Sequence, residues 1–402
     1  MKIVVLTDGY PPSHDGGAEL IAQSYAREFA RRGHAVTVIS PVRDRGLAGE
    51  SDEDGMHVIR IYDSGYHARW RQWLGAVNPR ALLLLRRHLS RLRPEVVHVH
   101  NVHRFFSFAS LLVARRYARV YWHAHDALSF HGGKLRRSAD DGLHVSWWRE
   151  ARYLRLRWNP FYRPFVRFCI SGATRIIAVS GALADALSAN GIHPATIVHN
   201  GIDPDWGAVS VTGIESFRER VGLQGKHVVM FAGRLSDAKG IETIPVFAEA
   251  MRTDSNLRFL VIGKETSALR SVRDACARLG LSEMLVTPGW LDGAEMKCAY
   301  HSADIVAVLS EYEDPFPTIN LEAMACARPV VGTMYGGTPE IVDDDQTGYI
   351  VDPSDTAQCV VRVRHLLSDA ALRERFGQAA RTRIRDHFTL AAQAVRMLEL
   401  FS

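Results

Sequence analysis

Two carboxylates eight residues apart, Asp314 and Glu322, mark the stretch over residues 310–340, SEYEDPFPTINLEAMACARPVVGTMYGGTPE. An apolar run at 304–309, DIVAVL, reads as a buried strand that delivers the chain to a Pro-rich turn holding Asp314. A helix starts near Thr318 and carries Glu322 in its first turns. A helix N-terminus offers N–H groups without intrahelical partners and a partial positive charge, which suits an anion such as a diphosphate. A carboxylate beside it can accept the two hydroxyl hydrogens of a ribose. Upstream, Arg234 and Lys239 lie five apart across a turn, so both cations can converge on one site. A guanidinium fork and an ammonium point charge suit a departing diphosphate. These residues together read as a nucleotide-sugar cradle at the C-terminal edge of a parallel sheet.

Two other apolar runs end in polar clusters. EVVHVHN (95–101) ends in His98, His100 and Asn101, and VYWHAHD (120–126) in His123, His125 and Asp126. Both ends should meet at one sheet edge. Histidines and an aspartate can hold a metal, but these spacings are those of strands and no cysteine joins them, so none is expected. Gly16-Gly17 lets the backbone pass close to a ligand. It reads equally well as a plain helix-entry turn.

The acid-x7-acid pattern, followed by Ala-Met-Ala and Pro-Val-Val, resembles the donor-binding signature of the family 4 retaining glycosyltransferases, which have the GT-B fold. The variant EDPFPTINLEAMAC resembles the bacterial polysaccharide-assembly members. This chain has Asp314 where the first Glu usually stands, Pro317 where many members have Gly, and Gly263-Lys264-Glu265 where Gly-x-Gly is frequent. The resemblance implies an α/β protein of two Rossmann-like doubly wound domains facing a central cleft. It places Gly16 and Gly17 near the donor diphosphate. Gly233, Arg234 and Lys239, from the G-R-x4-K-G pattern, would bind the phosphates. Asp314 and the backbone at Phe316, Pro317, Thr318 and Ile319 (Pro317 has no N–H) would hold the sugar hydroxyls. Glu322 would hold the ribose, and His125 would touch the transferred sugar with Asp126 orienting it. Arg234, Lys239, His125 and Asp314 are thus the implied catalytic set. The implied reaction retains anomeric configuration by front-face attack, with no protein nucleophile, no metal and no cofactor beyond a UDP-sugar or, less commonly, a GDP-sugar.

The elements that must position these residues follow in order. Residues 2–8 are a first strand, residues 16 to about 32 a helix, and 35–41 a second strand, a βαβ unit. Alternation restarts with strands at 227–234 and 258–263, and the turn at Trp290 reads either as a flank of the nucleotide base or as simple packing. The expected domains are 1–203 on the acceptor side, 204–388 for the donor, and a helix over 389–402 crossing back to the first domain.

A chain of 402 residues exceeds one core. It contains no apolar run of about 18 residues, so no membrane span is expected, and the N-terminus reads as a strand and not a signal peptide. The five cysteines show no metal spacing and fit a reduced cytosolic protein. Net charge is +5, which favours phosphate-rich partners. Residues 67–93 hold seven arginines, Trp70 and Trp73 with no acid, and 128–168 are basic and aromatic. Both tracts suit an anionic membrane surface, hence a peripheral place on the inner face of the plasma membrane and a saccharide or lipid-linked acceptor. No nucleic-acid fold surrounds them, so nucleic acid is not expected. Solvated helix faces would produce the same composition. The alternatives to transfer are an epimerase or phosphorylase on the same fold, or a protein that binds nucleotide sugars without turnover.

Overall fold

The computed structural model describes residues 1–12, 16–65, 70–137, 142–291 and 293–402. Within the first basic tract, His67 and Arg69 lie outside the described residues. The chain divides into two compact units, Met1–Gly201 with Leu390–Ser402, and Ile202–Thr389.

The first unit is built on strands β1 (Lys2–Leu6), β2 (Ala35–Val42), β3 (Gly49–Glu53), β4 (Met56–Tyr62), β5 (Val96–Val99), β6 (Arg119–Ala124), β7 (Arg175–Ala178) and β8 (Ala195–Ile197). They form one sheet in the order β3-β4-β2-β1-β5-β6-β7-β8. Only β3 pairs antiparallel, with β4. The interior strands read as continuous apolar runs because helices cover both faces, as in β1, where Ile3, Val4, Val5 and Leu6 are all buried. Helix Gly17–Arg31 buries Ile21, Ala22, Tyr25, Ala26 and Phe29, spaced three and four apart on one face. Helix Leu390–Phe401 adds Ala394, Met397 and Phe401 to the same core.

The second unit carries β9 (His227–Ala232), β10 (Leu257–Ile262), β11 (Leu285–Gly289), β12 (Ile305–Val308), β13 (Val330–Thr333) and β14 (Gly348–Val351), ordered β11-β10-β9-β12-β13-β14. Every pairing in this sheet is parallel. Phe231, Phe247, Phe259 and Phe376 are among the large side chains of its core.

In each sheet the strand order reverses at one place. In the first, successive strands run outward from β1 in one direction and from β5 in the other. In the second, the reversal lies between β9 and β12. Connections leave such neighbours toward opposite faces, so a crevice opens beyond their carboxyl ends. The residues singled out above follow these strand ends. Gly233 and Arg234 come directly after β9, and the segment holding Asp314 comes after β12. Among the described residues, no helix is long and apolar enough to cross a membrane.

Candidate donor site and a histidine cluster

In the second unit, β12 delivers buried Leu309 and Ser310 to a loop whose Tyr312, Glu313 and Asp314 are all buried. The Asp237–Lys239 turn lies against this loop. Lys239 N–H donates to the Ser236 carbonyl at 2.8 Å, and Glu311 N–H donates to that of Ala238 at 3.0 Å. Gly240 allows this approach. Its φ is +73°, and a β-carbon there would stand 2.1 Å from the Leu309 carbonyl oxygen.

The result is a closed charge cluster. Lys239 Nζ forms an ion pair with Asp314 Oδ2, and Tyr312 OH donates to the same oxygen at 2.9 Å. Burial by itself would lower the Lys239 pKa, but the Asp314 charge outweighs it and holds the ammonium above its ordinary value. Burial, with Asp314 adding to it, pushes the Tyr312 phenol up to about 12. Asp314 is therefore the counter-ion of Lys239. The resemblance assigns Lys239 to the donor phosphates and Asp314 to the sugar hydroxyls.

The Gly336-Gly337 turn clamps the loop from the other side. Gly336 N–H donates to Glu313 Oε2 at 2.8 Å, and Gly337 N–H to the Asp314 carbonyl at 2.8 Å. Helix Thr318–Ala325 starts just beyond, with Pro317 as an N-cap that offers no side-chain acceptor. Its first-turn N–H groups thus face the loop end without a built-in cap. Phe316 is buried and meets the Phe388 ring at 5.9 Å. Glu322 accepts a 2.6 Å hydrogen bond from Tyr300 OH. Burial raises the Glu322 carboxyl to about 7, partly offset by bonds from Tyr300 and Thr318. Gly233 turns the chain out of β9 with φ +112°, and Arg234 is exposed there. Trp290 follows the edge strand β11, half exposed, with Lys264 Nζ 5.3 Å from its ring centre.

In the first unit, Gly16 is the extended N-cap of helix Gly17–Arg31 and makes no side-chain cap. Asp8, just past β1, gathers the neighbouring loop: its carboxylate accepts N–H bonds from Arg104 (2.6 Å), Phe105 (3.1 Å) and Phe106 (2.9 Å). Burial raises Asp8 to about 6 despite these bonds. The period-two alternation of β5 and β6 puts His98, His100, His123 and His125 on one face. His100 Nδ1 and His125 Nε2 are 2.8 Å apart, with rings stacked 5.0 Å centre to centre. Burial lowers His125 to about 4 and holds His98, His100 and His123 well below their ordinary value, so all four imidazoles are neutral at pH 7.

Asp126 was expected to orient His125; His100 does so instead. Asp126 Oδ1 accepts the Leu128 N–H at 2.9 Å, and its Oδ2 lies 3.7 Å from His103 Nδ1. Nitrogens of His98, His100 and His123 all lie within 4.8 Å of one another. No carboxylate or thiolate joins this set among the described residues, so a divalent cation there would be a buried charge with no counter-ion. Ring contacts surround these histidines. Tyr25 meets His98 and His123 edge-on at 5.8 and 5.7 Å, an aromatic packing geometry.

Lys239, Asp314, the 316–319 backbone and Glu322 are thus gathered in the second unit, while His125, Gly16 and Gly17 belong to the first. Tyr300, Tyr312 and Asp8 were missed. Tyr312 stands beside the acidic pair and could have been found there. Tyr300 lies 22 residues before Glu322, with no motif linking them.

Comparison with known proteins agrees with this geometry. Residues 15–206 match the model described as Glycosyltransferase Family 4, and residues 213–383 that described as Glycosyl transferases group 1. An uncharacterized glycosyltransferase of Methanocaldococcus jannaschii is 27% identical over 383 residues, covering 93% of this chain and 91% of that protein. Sucrose-phosphate synthase from Thermosynechococcus elongatus has a similar structure, with TM-score 0.78, 18% identity, and coverage of 100% of this chain and 98% of the other. HepE of Anabaena, solved in complex with UDP and glucose, matches with TM-score 0.73 and 18% identity over 100% of this chain and 99% of the other. The chain belongs to the family 4 glycosyltransferases and has their GT-B fold of two parallel-sheet α/β domains.

Proposed function

We propose that this glycosyltransferase moves a sugar from a UDP-sugar to a sugar hydroxyl of a lipid-linked glycan in bacterial cell-surface polysaccharide assembly, with retention and without metal. The partly buried Lys239–Asp314–Tyr312 cluster beside an uncapped helix N-terminus carries this reading. A donor diphosphate supplies the anion that takes over Lys239, with Arg234 and the Gly233 turn completing its cradle. Asp314, released from the ion pair, accepts the sugar hydroxyls alongside N–H groups of Phe316, Thr318 and Ile319. Glu322, steadied by Tyr300, accepts the ribose hydroxyls. The growing charge on the departing diphosphate is met by Lys239 and Arg234, electrostatic stabilisation that no metal need duplicate. His125 contacts the transferred sugar through Nδ1, its Nε2 being held by His100. Gly16 and Gly17 lie against the diphosphate. The division of labour follows: residues 1–203 serve the acceptor, 204–388 the donor, and 389–402 return to the first domain. The UDP complex of HepE supports uridine over guanosine as the base.

Membrane attachment is the second part of the proposal. Helix Trp147–Leu154 and the turn and helix after it expose Trp147, Trp148 (86%), Tyr153, Leu156, Phe161 (71%) and Phe168. Arg152, Arg155, Arg157 and Arg167 are exposed among them. The acid in this segment, Glu150, is turned inward onto His131 (2.5 Å) and the Gly132 N–H (2.7 Å); Asp140 and Asp141 lie outside the described residues. Gln72 bonds the Asn159 N–H at 2.8 Å, bringing exposed Trp70 and Trp73 alongside. Amphipathic aromatics ringed by arginine suit an anionic headgroup layer, and the enzyme then works on the cytoplasmic face of the plasma membrane.

The test is transfer of label from UDP-sugars to a bacterial lipid extract. Wild-type transfer that Lys239→Ala abolishes is the expected result. Hydrolysis or epimerisation with no acceptor labelled for any donor would overturn the transfer reading.

A further inference from the structure

A cavity of about 280 Å3 opens in the second unit at the C-terminal end of helix Thr318–Ala325, the end away from the donor site. His301, Cys326, Arg328, Glu374, Gln378 and Arg381 line it. Its two arginines are poorly satisfied. Arg328 Nε and Arg381 Nε are shut off from solvent with no hydrogen-bond partner among the described residues. Arg328 makes no ion pair among them, and Arg381 reaches only the exposed Asp205, at 4.0 Å. Both charges act on His301, and both on Cys326, so they share one neighbourhood. Arg381 is partly exposed and the charges of Asp304 and Glu374 act on Arg328 without closing an ion pair, so a guanidinium partly withdrawn from water lacks a close anionic partner, which is costly. The one acid in the lining, Glu374, is engaged by Gln378 Nε2 at 2.8 Å.

We propose that this cavity is a second ligand site, taking a small phosphorylated sugar. Its phosphate pairs with Arg328 and Arg381, and its hydroxyls meet Glu374, Gln378 and the backbone at Gly207 and Ala208. The cavity is near the lower end of the size range of ligand pockets, enough for a phosphate with a compact polar body and too little for a nucleotide sugar. The site is wired to the donor site. Its wall includes Ala325 and Cys326, where the donor helix ends, and His301, which follows Tyr300, whose hydroxyl holds Glu322. Drawing Arg328 and His301 onto a phosphate shifts both ends of that hydrogen bond, so occupancy changes donor affinity. This coupling rests on the donor reading above; binding in the cavity does not.

The experiment is calorimetric titration of the full chain with glucose 6-phosphate and with inorganic phosphate, each with saturating UDP filling the donor site. Saturable binding of glucose 6-phosphate is expected, tighter than that of inorganic phosphate. Arg328→Gln should weaken it at least about tenfold, in keeping with loss of a charge-assisted contact. Arg328→Lys, which keeps the charge and guards against a folding defect, should fall between. UDP affinity measured without sugar phosphate should stay the same in both variants. With glucose 6-phosphate present, the UDP dissociation constant of the wild type should shift and that of Arg328→Gln should not. Absence of saturable binding, or binding unchanged in both Arg328 variants, would overturn the site. UDP failing to bind while glucose 6-phosphate binds through Arg328 would sink the donor reading and leave this site standing.

Discussion

Glu322 should make nucleotide binding depend on pH across neutrality. Burial raises its carboxyl to about 7, although Tyr300 and Thr318 both donate to it. A ribose needs the ionised form, because only that form accepts both hydroxyl hydrogens. With a free-protein pKa near 7, roughly nine-tenths of the sites are competent at pH 8 and one-tenth at pH 6. The apparent dissociation constant should therefore rise about tenfold from pH 8 to pH 6. Glu322→Gln cannot ionise and should bind more weakly at pH 8, with no such pH dependence of its own. The assay is UDP titration at several pH values, read as the ratio of variant to wild-type dissociation constants, which cancels titration of the UDP phosphate. Stability should move in the opposite sense. A carboxyl raised in the folded state contributes stability that is present below its unfolded value and lost as pH rises through about 7. A ratio that stays flat between pH 6 and pH 8 would refute the assignment of Glu322 to the ribose.

Asp314→Asn removes the counter-ion of partly buried Lys239 while preserving shape; turnover should fall by orders of magnitude, and bound UDP should raise the Tm more than in the wild type, as measured by thermal unfolding. Buried His98, His100 and His123, and His125 beside them, have depressed pKa values, so the stability they contribute is complete above the unfolded value of 6.5 and is lost as pH falls, through about 4 for His125. His123→Val should accordingly narrow the difference in urea midpoint between pH 7.5 and pH 5; an unchanged difference would contradict the neutral-cluster account. Trp148→Ser with Phe161→Ser should reduce sedimentation with anionic vesicles while leaving UDP binding intact, and binding to those vesicles should weaken with salt. Equal binding to neutral vesicles at high salt would contradict the membrane surface.

Much of the architecture is local in its causes and so could be read from the sequence. The runs KIVVL and HVVMFA are strands, and IVAV within DIVAVL is another, their central residues buried on both faces. The helix beginning at Thr318 and the Gly16-Gly17 entry each follow from a few adjacent residues. The candidate residues stand out because they follow strands at the places where the strand order reverses. What the sequence did not disclose are pairings between distant residues. Lys239 meets Asp314 across 75 positions, and His100 meets His125 across 25. Such contacts depend on which strands are neighbours and in what register, and no local pattern encodes that. Asp126 was misjudged for the related reason that adjacency in sequence is not adjacency in a strand. The basic tract at 128–168 showed its composition but not that Glu150 turns inward and the aromatic rings outward.

The central claim is that Lys239 and its neighbours form a nucleotide-sugar site, and calorimetric titration with UDP, GDP and ADP in the absence of metal tests it most directly. The expected result is micromolar binding of UDP, weaker binding of the other two, and loss of UDP binding in Lys239→Ala with the variant still folded. UDP affinity unchanged by Lys239→Ala would contradict the claim.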